Sequence, residues 1–211
     1  MKLTDIQRET LIGLLLGDAH LETQNDGRTY RIKFEYSVKQ REYLEHLYAL
    51  FKEWTLSPPR TKSDSTHNNI CFQTVSHSAF RFYAHQFYDE RKKRVPENIH
   101  RFLTPRAIAY WYMDDGSIKS KDAKGVIFNT QCFTREEVAR LIDALRRDFG
   151  LEAKERKQPE GWQFYISGKS YERFREIVDP FIIPSMRYKI PADRSSTTMK
   201  TAMTNNTMPK E

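Results

Sequence analysis

Leu11, Ile12, Leu14, Leu15 and Leu16 form an apolar run broken only by Gly13, and the run stops at Gly17 and Asp18. Thr4 and Gln7 fit a capping box ahead of it, with Asp5 and Glu9 in the first turns, so the pattern predicts a helix. It falls far short of the ~20 apolar residues that span a bilayer. Its end is awkward, because the C-terminal end of a helix carries negative partial charge and disfavours a carboxylate. Beyond it, the Asp26-Gly27 turn signal precedes Tyr30, Ile32, Phe34 and Tyr36, which alternate with Thr29, Arg31, Lys33 and Glu35. That two-residue period predicts a β-hairpin with one apolar face and one polar, mostly basic face. Tyr43, Leu44, Leu47, Tyr48, Phe51 and Trp54 then return to helical spacing. After Pro58-Pro59, a second hairpin is expected through Arg60–Lys62 and Asn69–Ser76, and a helix over Ser78–Tyr88.

The same order then repeats. Thr104 and Pro105 open an apolar stretch, Ile108 to Met113, that ends Asp114-Asp115-Gly116. A turn-bearing segment leads to an expected strand, Val126–Phe133, and Thr134 with Glu137 caps a helix carrying Val138, Leu141, Ile142, Leu145 and Phe149 on one face. A hairpin over Leu151–Ser167 and a helix over Lys169–Val178 complete the copy. Asp18 and Asp115 stand 97 positions apart, Phe34 and Phe128 94, and Pro96 and Pro191 95. Three near-equal offsets in order indicate an internal duplication. The predicted fold class is α+β, with two pseudo-symmetric αββαββα subdomains at 1–96 and 97–192 and a polar, flexible tail at 193–211.

Composition narrows the partners. The 211 residues carry a formal charge of +7, with 13% aromatic and 30% charged residues, which describes a well-cored protein that favours an acidic polymer. Cys71 and Cys132 form no CxxC pair, and the N-terminus reads as helix entry and not as a signal peptide. A reducing, non-secretory location is therefore expected.

The duplication gives the awkward aspartates a purpose. Related halves joined about a pseudo-two-fold axis would pack their apolar helices side by side, with Gly13 and Gly17 allowing close approach. Asp18 and Asp115 would then meet at two negative helix ends, where they repel unless protonated or bridged by cations. Mg²⁺, a hard ion that takes carboxylate, water and phosphate oxygens, suits such a place. The polar sheet faces would carry Arg31, Lys33, Arg60, Lys62, Lys119, Lys121, Lys154 and Arg156, and two-stranded ribbons of this kind fit the DNA major groove.

At Leu11–Ala19 (LIGLLLGDA) and Ile108–Gly116 (IAYWYMDDG) the sequence resembles the LAGLIDADG homing endonucleases, in particular single-chain members with two motifs. LSPPR, FNTQCFT and MRYKIP look like the mitochondrial omega-intron branch of that family, and the likeness runs over about residues 5–192. The resemblance implies a monomer that clasps a long double-stranded DNA site in a saddle of two antiparallel sheets, with the motif helices at the subdomain interface. It implies Mg²⁺-dependent cleavage leaving short 3′ overhangs, with Mn²⁺ as a substitute and Ca²⁺ binding without cleavage. It makes Asp18 and Asp115 the catalytic metal ligands, joined by the Ala19 and Gly116 carbonyls and by Asp114. It matches Lys93 and Lys189 to lysines near each active site, and it suggests Glu35 and Asn129 as polar groups around the metal water. An organellar matrix, or a cytoplasmic or nucleoid location, follows from the same likeness.

Tyr110 and Trp111 replace the glycine and leucine usual in the motif, which predicts that the helix crossing is not the close-packed, fully symmetric one. Some members of the family act instead as RNA-binding maturases that assist intron splicing. Two acidic helix ends favour cleavage, since RNA binding needs neither.

Overall fold

Capping chemistry starts each motif helix where the pattern places it. In the computed structural model, which describes residues 1–63, 68–119 and 124–190, Thr4 Oγ1 accepts from Gln7 N–H at 3.2 Å and Gln7 Oε1 accepts from Thr4 N–H at 3.0 Å. This reciprocal cap opens α1 (Asp5–Leu16). Next come β1 (His20–Glu22) and β2 (Arg31–Ser37), joined through Asp26 and Gly27 at φ 54° and 80°. Then follow α2 (Arg41–Phe51), β3 (Arg60–Ser63), β4 (Asn68–Gln73) and α3 (Arg81–Phe87). A small hairpin, β5 (Tyr88–Asp89) and β6 (Lys92–Lys93), begins the connector. The second copy runs α4 (Pro105–Asp115), β7 (Gly116–Ile118), β8 (Val126–Phe128), α5 (Arg135–Phe149), β9 (Ala153–Gln158), β10 (Gly161–Ile166) and α6 (Tyr171–Val178). A 3₁₀ stretch, Pro184–Lys189, follows it.

Each half thus folds as αββαββα, an α+β arrangement. The sheets have the orders β1-β2-β4-β3 and β7-β8-β10-β9, all antiparallel. The duplication reaches individual rings. Phe34 lies opposite Phe72, stacked at 4.3 Å, and Phe128 lies opposite Phe164, stacked at 4.9 Å. One continuous apolar core runs through both halves, with Leu11, Leu14 and Leu16 of α1 and Ile108, Trp111 and Tyr112 of α4 fully buried within it.

Two expectations change. The strand expected over Val126–Phe133 ends at Phe128, because Thr130 turns the chain: its carbonyl accepts Phe133 N–H at 3.0 Å and its hydroxyl donates to Trp162 O at 2.9 Å. The helix crossing is not fully symmetric, as expected, but it is close-packed at Gly13. A methyl on Gly13 would run into Ala107 O and come within 2.9 Å of Trp111 N. Tyr110 is accommodated because its ring leaves the seam and lies over His46 of α2, the hydroxyl and His46 Nε2 being 2.6 Å apart.

The connector is fastened to both copies. Arg94 donates to His85 O and Gln86 O, Val95 N–H donates to Glu137 Oε1 at 2.9 Å, and Arg140 donates to Val95 O. Among the described residues no helix is long and apolar enough to cross a membrane. Pro191, Lys121 and the tail at 193–211 lie outside the described residues.

Candidate nuclease centre and nucleic-acid interface

The paired motif helices deliver their acidic ends to one place. Asp18 stands just past α1, after the C-cap Gly17, whereas Asp115 is the last residue of α4. Each feels the charge of both Lys93 and Lys189, and Asp115 also feels that of Asp18, so two carboxylates and two ammonium groups form one electrostatic centre. Burial raises the Asp18 carboxyl above its usual range, and the lysines pull it partly back. Burial first, and then the Asp18 charge, push Asp115 up to about 7, again opposed by the lysines.

The lysines come from different elements yet make equivalent contacts. Lys93, on β6, donates through Nζ to Gly17 O, and Lys189, from the 3₁₀ stretch, donates to Met113 O and, at 3.1 Å, to Asp114 O. Gly17 and Asp114 are the same motif position in the two copies. Both ammonium groups therefore meet the exposed carbonyls of a helix C-terminus, where positive charge is favoured. Burial lowers the pKa of each, with the aspartates resisting. Tyr112 donates its hydroxyl to Lys189 O at 2.8 Å and so holds the 3₁₀ stretch on α4.

The remaining candidates divide. Asn129 sits against the centre: its N–H and Nδ2 both donate to Asp115 O, at 3.0 and 2.9 Å, and Gln163 Nε2 holds its Oδ1 at 2.7 Å. Glu35, at the equivalent position of the first copy, turns instead to Asn69 Nδ2 at 2.9 Å on β4 and to Lys62 Nζ at 3.6 Å on β3 beyond it. Gly116 stands where the Asn129-to-Asp115 bond makes a non-hydrogen-bonded pair, which points its carbonyl away from β8. Ala19 is fully buried beside Asp18, with its N–H on Leu14 O. Asp114 is engaged inside the protein, one oxygen accepting Asp18 N–H at 2.9 Å and the other the Tyr36 hydroxyl at 3.1 Å. Both oxygens of Asp114 thus already have a partner within the protein.

The basic candidates share the outward sheet faces. Cross-strand pairing sets Arg31, Lys33, Glu35, Arg60 and Lys62 on one face of the first sheet, bordering a concavity of about 830 Å³. Arg31 is clamped by Glu22 at 2.7 Å, and Lys33 approaches the same carboxylate at 3.9 Å. On the second sheet Lys154 and Arg156 project beside Tyr165 and Gln163, while Lys119 Nζ lies 4.3 Å above the Tyr165 ring. The looser Lys33 pair, with its ammonium exposed, is of the kind worth only about 0–1 kcal/mol, so exchanging it for a phosphate costs little. Sequence reasoning missed Tyr36 and Gln163. Tyr36 had one signal, a phenol on an apolar strand face, since a buried hydroxyl usually has a partner.

The LAGLIDADG DNA endonuclease family model matches residues 8–174. The chain belongs to this family. It is 35% identical over 198 residues to the probable intron-encoded endonuclease 1 of Wickerhamomyces canadensis, covering 89% of this chain and 85% of that one. Its fold matches the homing endonuclease I-WcaI bound to its DNA recognition sequence with a TM-score of 0.85 at 33% identity, over 90% of this chain and 88% of that one. It is also 29% identical over 197 residues to the cytochrome b mRNA maturase bI2 of Saccharomyces cerevisiae, covering 85% of this chain and 46% of that protein.

Proposed function

We propose that the protein is a site-specific homing endonuclease that cuts both strands of a long DNA site as a monomer, in an organelle, and so promotes intron mobility. The observation that carries this reading is the pairing of Asp18 and Asp115 in one centre, each beside a lysine on the equivalent helix-end carbonyl. The donors fit Mg²⁺: two carboxylates with main-chain oxygens nearby. Among the described residues no three or more His, Cys, Asp or Glu side chains form a ready cage, which leaves room for water and phosphate oxygens. A bound Mg²⁺, or Mn²⁺ in its place, supplies charge neutralisation and a more acidic water, while Ca²⁺ would bind without supporting cleavage.

The chain's own residues do the rest. Asp18 and Asp115 hold the cation positions, with the Ala19 and Gly116 carbonyls as further donors. Lys93 and Lys189 oppose the negative charge that builds on the phosphate. Asn129 fixes Asp115 through its carbonyl, and Glu35, with Lys62, belongs to the DNA-contacting face. Arg31, Lys33, Arg60, Lys154 and Arg156, with Lys119 and Lys121, contact the backbone and base edges of the two half-sites.

The test is incubation with a library of candidate intron-insertion sequences in Mg²⁺ and in EDTA. Mg²⁺-dependent double-strand cutting of a site, with 3′ overhangs, is expected. Tight intron RNA binding with no cutting of any site would replace this reading with a maturase.

A further inference from the structure

The two motif helices end differently, and the difference leaves one amide without a partner in its own half. In the first copy Gly17 N–H returns to Gly13 O at 3.1 Å and Ala19 N–H to Leu14 O at 3.0 Å, so the Asp18 N–H between them is left over. In the second copy α4 continues through Asp115, and even Gly116 N–H returns to Tyr112 O. The Asp18 N–H is taken by Asp114 Oδ2 at 2.9 Å, from the other half of the chain. Asp114 occupies the motif position that is Gly17 in the first copy, and the two face each other: a methyl on Gly17 would meet Asp114 Cβ at 2.6 Å. The carboxylate is aimed by its second oxygen, which accepts from the hydroxyl of the buried Tyr36 on β2 at 3.1 Å.

We propose that Asp114 is a positioning residue acting across the subdomain interface. It takes up the amide that the end of α1 leaves over and fixes the backbone that carries Asp18, with Tyr36 setting its orientation. Among the described residues no side chain holds the Asp115 amide in return, since Gly17 has none to give. The two catalytic aspartates therefore differ in support: Asp115 is braced by its own helix and by Asn129, while Asp18 depends on the partner half. Loss of Asp114 loosens one metal-binding carboxylate and spares the other, which uncouples the two strand cuts. This rests on the endonuclease reading above.

Strand-resolved cleavage of a supercoiled plasmid carrying the site cut by the wild type tests it. Asp114→Ala should slow one strand by about tenfold to a hundredfold, the penalty of a misplaced catalytic group, so nicked plasmid accumulates. The other strand and the DNA affinity should stay within about threefold of wild type. Tyr36→Phe, which keeps the ring packing, should slow the same strand by a smaller factor. The Asp18 amide should exchange with solvent faster in Asp114→Ala than in wild type, a readout that needs no cleavage at all. Equal slowing of both strands, unchanged cleavage of both, or an unchanged Asp18 amide would each overturn the proposal. A wild type that cuts no DNA would remove the endonuclease reading and leave the amide measurement to judge the contact.

Discussion

The halves of this chain share a plan and differ in how they carry it out. The first ends its motif helix at Leu16 and presents Asp18 from the following turn; the second carries its helix through Asp115. The first brings its lysine on a two-residue strand, the second on a 3₁₀ turn, yet both ammonium groups reach the same helix-end carbonyls. What the halves hold in common is the charge around the centre, while the backbone that delivers each charge has diverged. A catalytic requirement fixes where a group must be and leaves open the element that carries it.

The largest effects should fall where the halves agree. Asp18→Asn and Asp115→Asn should each slow double-strand cleavage by about a hundredfold to a thousandfold or more, the several kcal/mol of a Lewis-acid site, with DNA affinity little changed in a gel-shift assay. Loss of folding in either variant would mean that these carboxylates serve the helix ends and not chemistry. Next comes the helix seam. Gly13→Ala should destabilise the protein by about 1–3 kcal/mol in denaturant unfolding, because the added methyl meets α4 backbone. At the matching position Tyr110→Phe should cost only about 0.5–1.5 kcal/mol, one hydrogen bond to His46. Equal costs would show that the seam is symmetric in energy despite its geometry.

A smaller contrast separates Asn129 from Glu35. Asn129→Ala should reduce cleavage by about tenfold, since it removes the side-chain bond of the two that hold the Asp115 carbonyl, whereas Glu35→Ala should change DNA affinity more than rate. The last contrast is one of pH. In EDTA, Asp115 holds its proton up to about 7 in the folded state and loses it near 3.8 when unfolded. Its stabilising contribution is therefore complete below the unfolded value and disappears as pH rises through about 7. Asp115→Asn should raise the Tm relative to wild type more at pH 8 than at pH 5, by about 2–4 °C for each kcal/mol relieved. Mg²⁺ should narrow that gap by stabilising the wild type; a gap independent of pH and Mg²⁺ would contradict a repelling acidic centre.

Much of this arrangement is legible from the chain itself. The period of the apolar residues and the constant offset between copies locate both aspartates, both sheets and the basic outward faces. Lys93 and Lys189 are another matter: their spacings to Pro96 and Pro191 differ by one residue, and only the family likeness pairs them. Glu35 and Asn129 share a strand position, but their neighbours are set by strands distant in sequence, where Lys62 and Asn69 draw one away and Gln163 steadies the other. The close crossing despite Tyr110 was unreadable for the same reason, since the space that admits the ring lies against α2 of the other copy. Local periodicity specifies elements and faces; contacts across the pseudo-two-fold axis depend on both copies at once.

That last contact has a consequence for the lineage of the chain. Gly13 makes room for the α4 backbone and for the Tyr110 Cβ, which lies 3.0 Å from where a glycine methyl would stand, while the ring turns away onto His46. Two second halves placed together would put a Cβ where the crossing has room for none and leave neither tyrosine ring a His46 to lie on. The seam needs a glycine on one of its two helices, so the second half cannot pair with a copy of itself without opening the crossing. Any chimera that replaces one half with a relative's must keep so small a residue on one side.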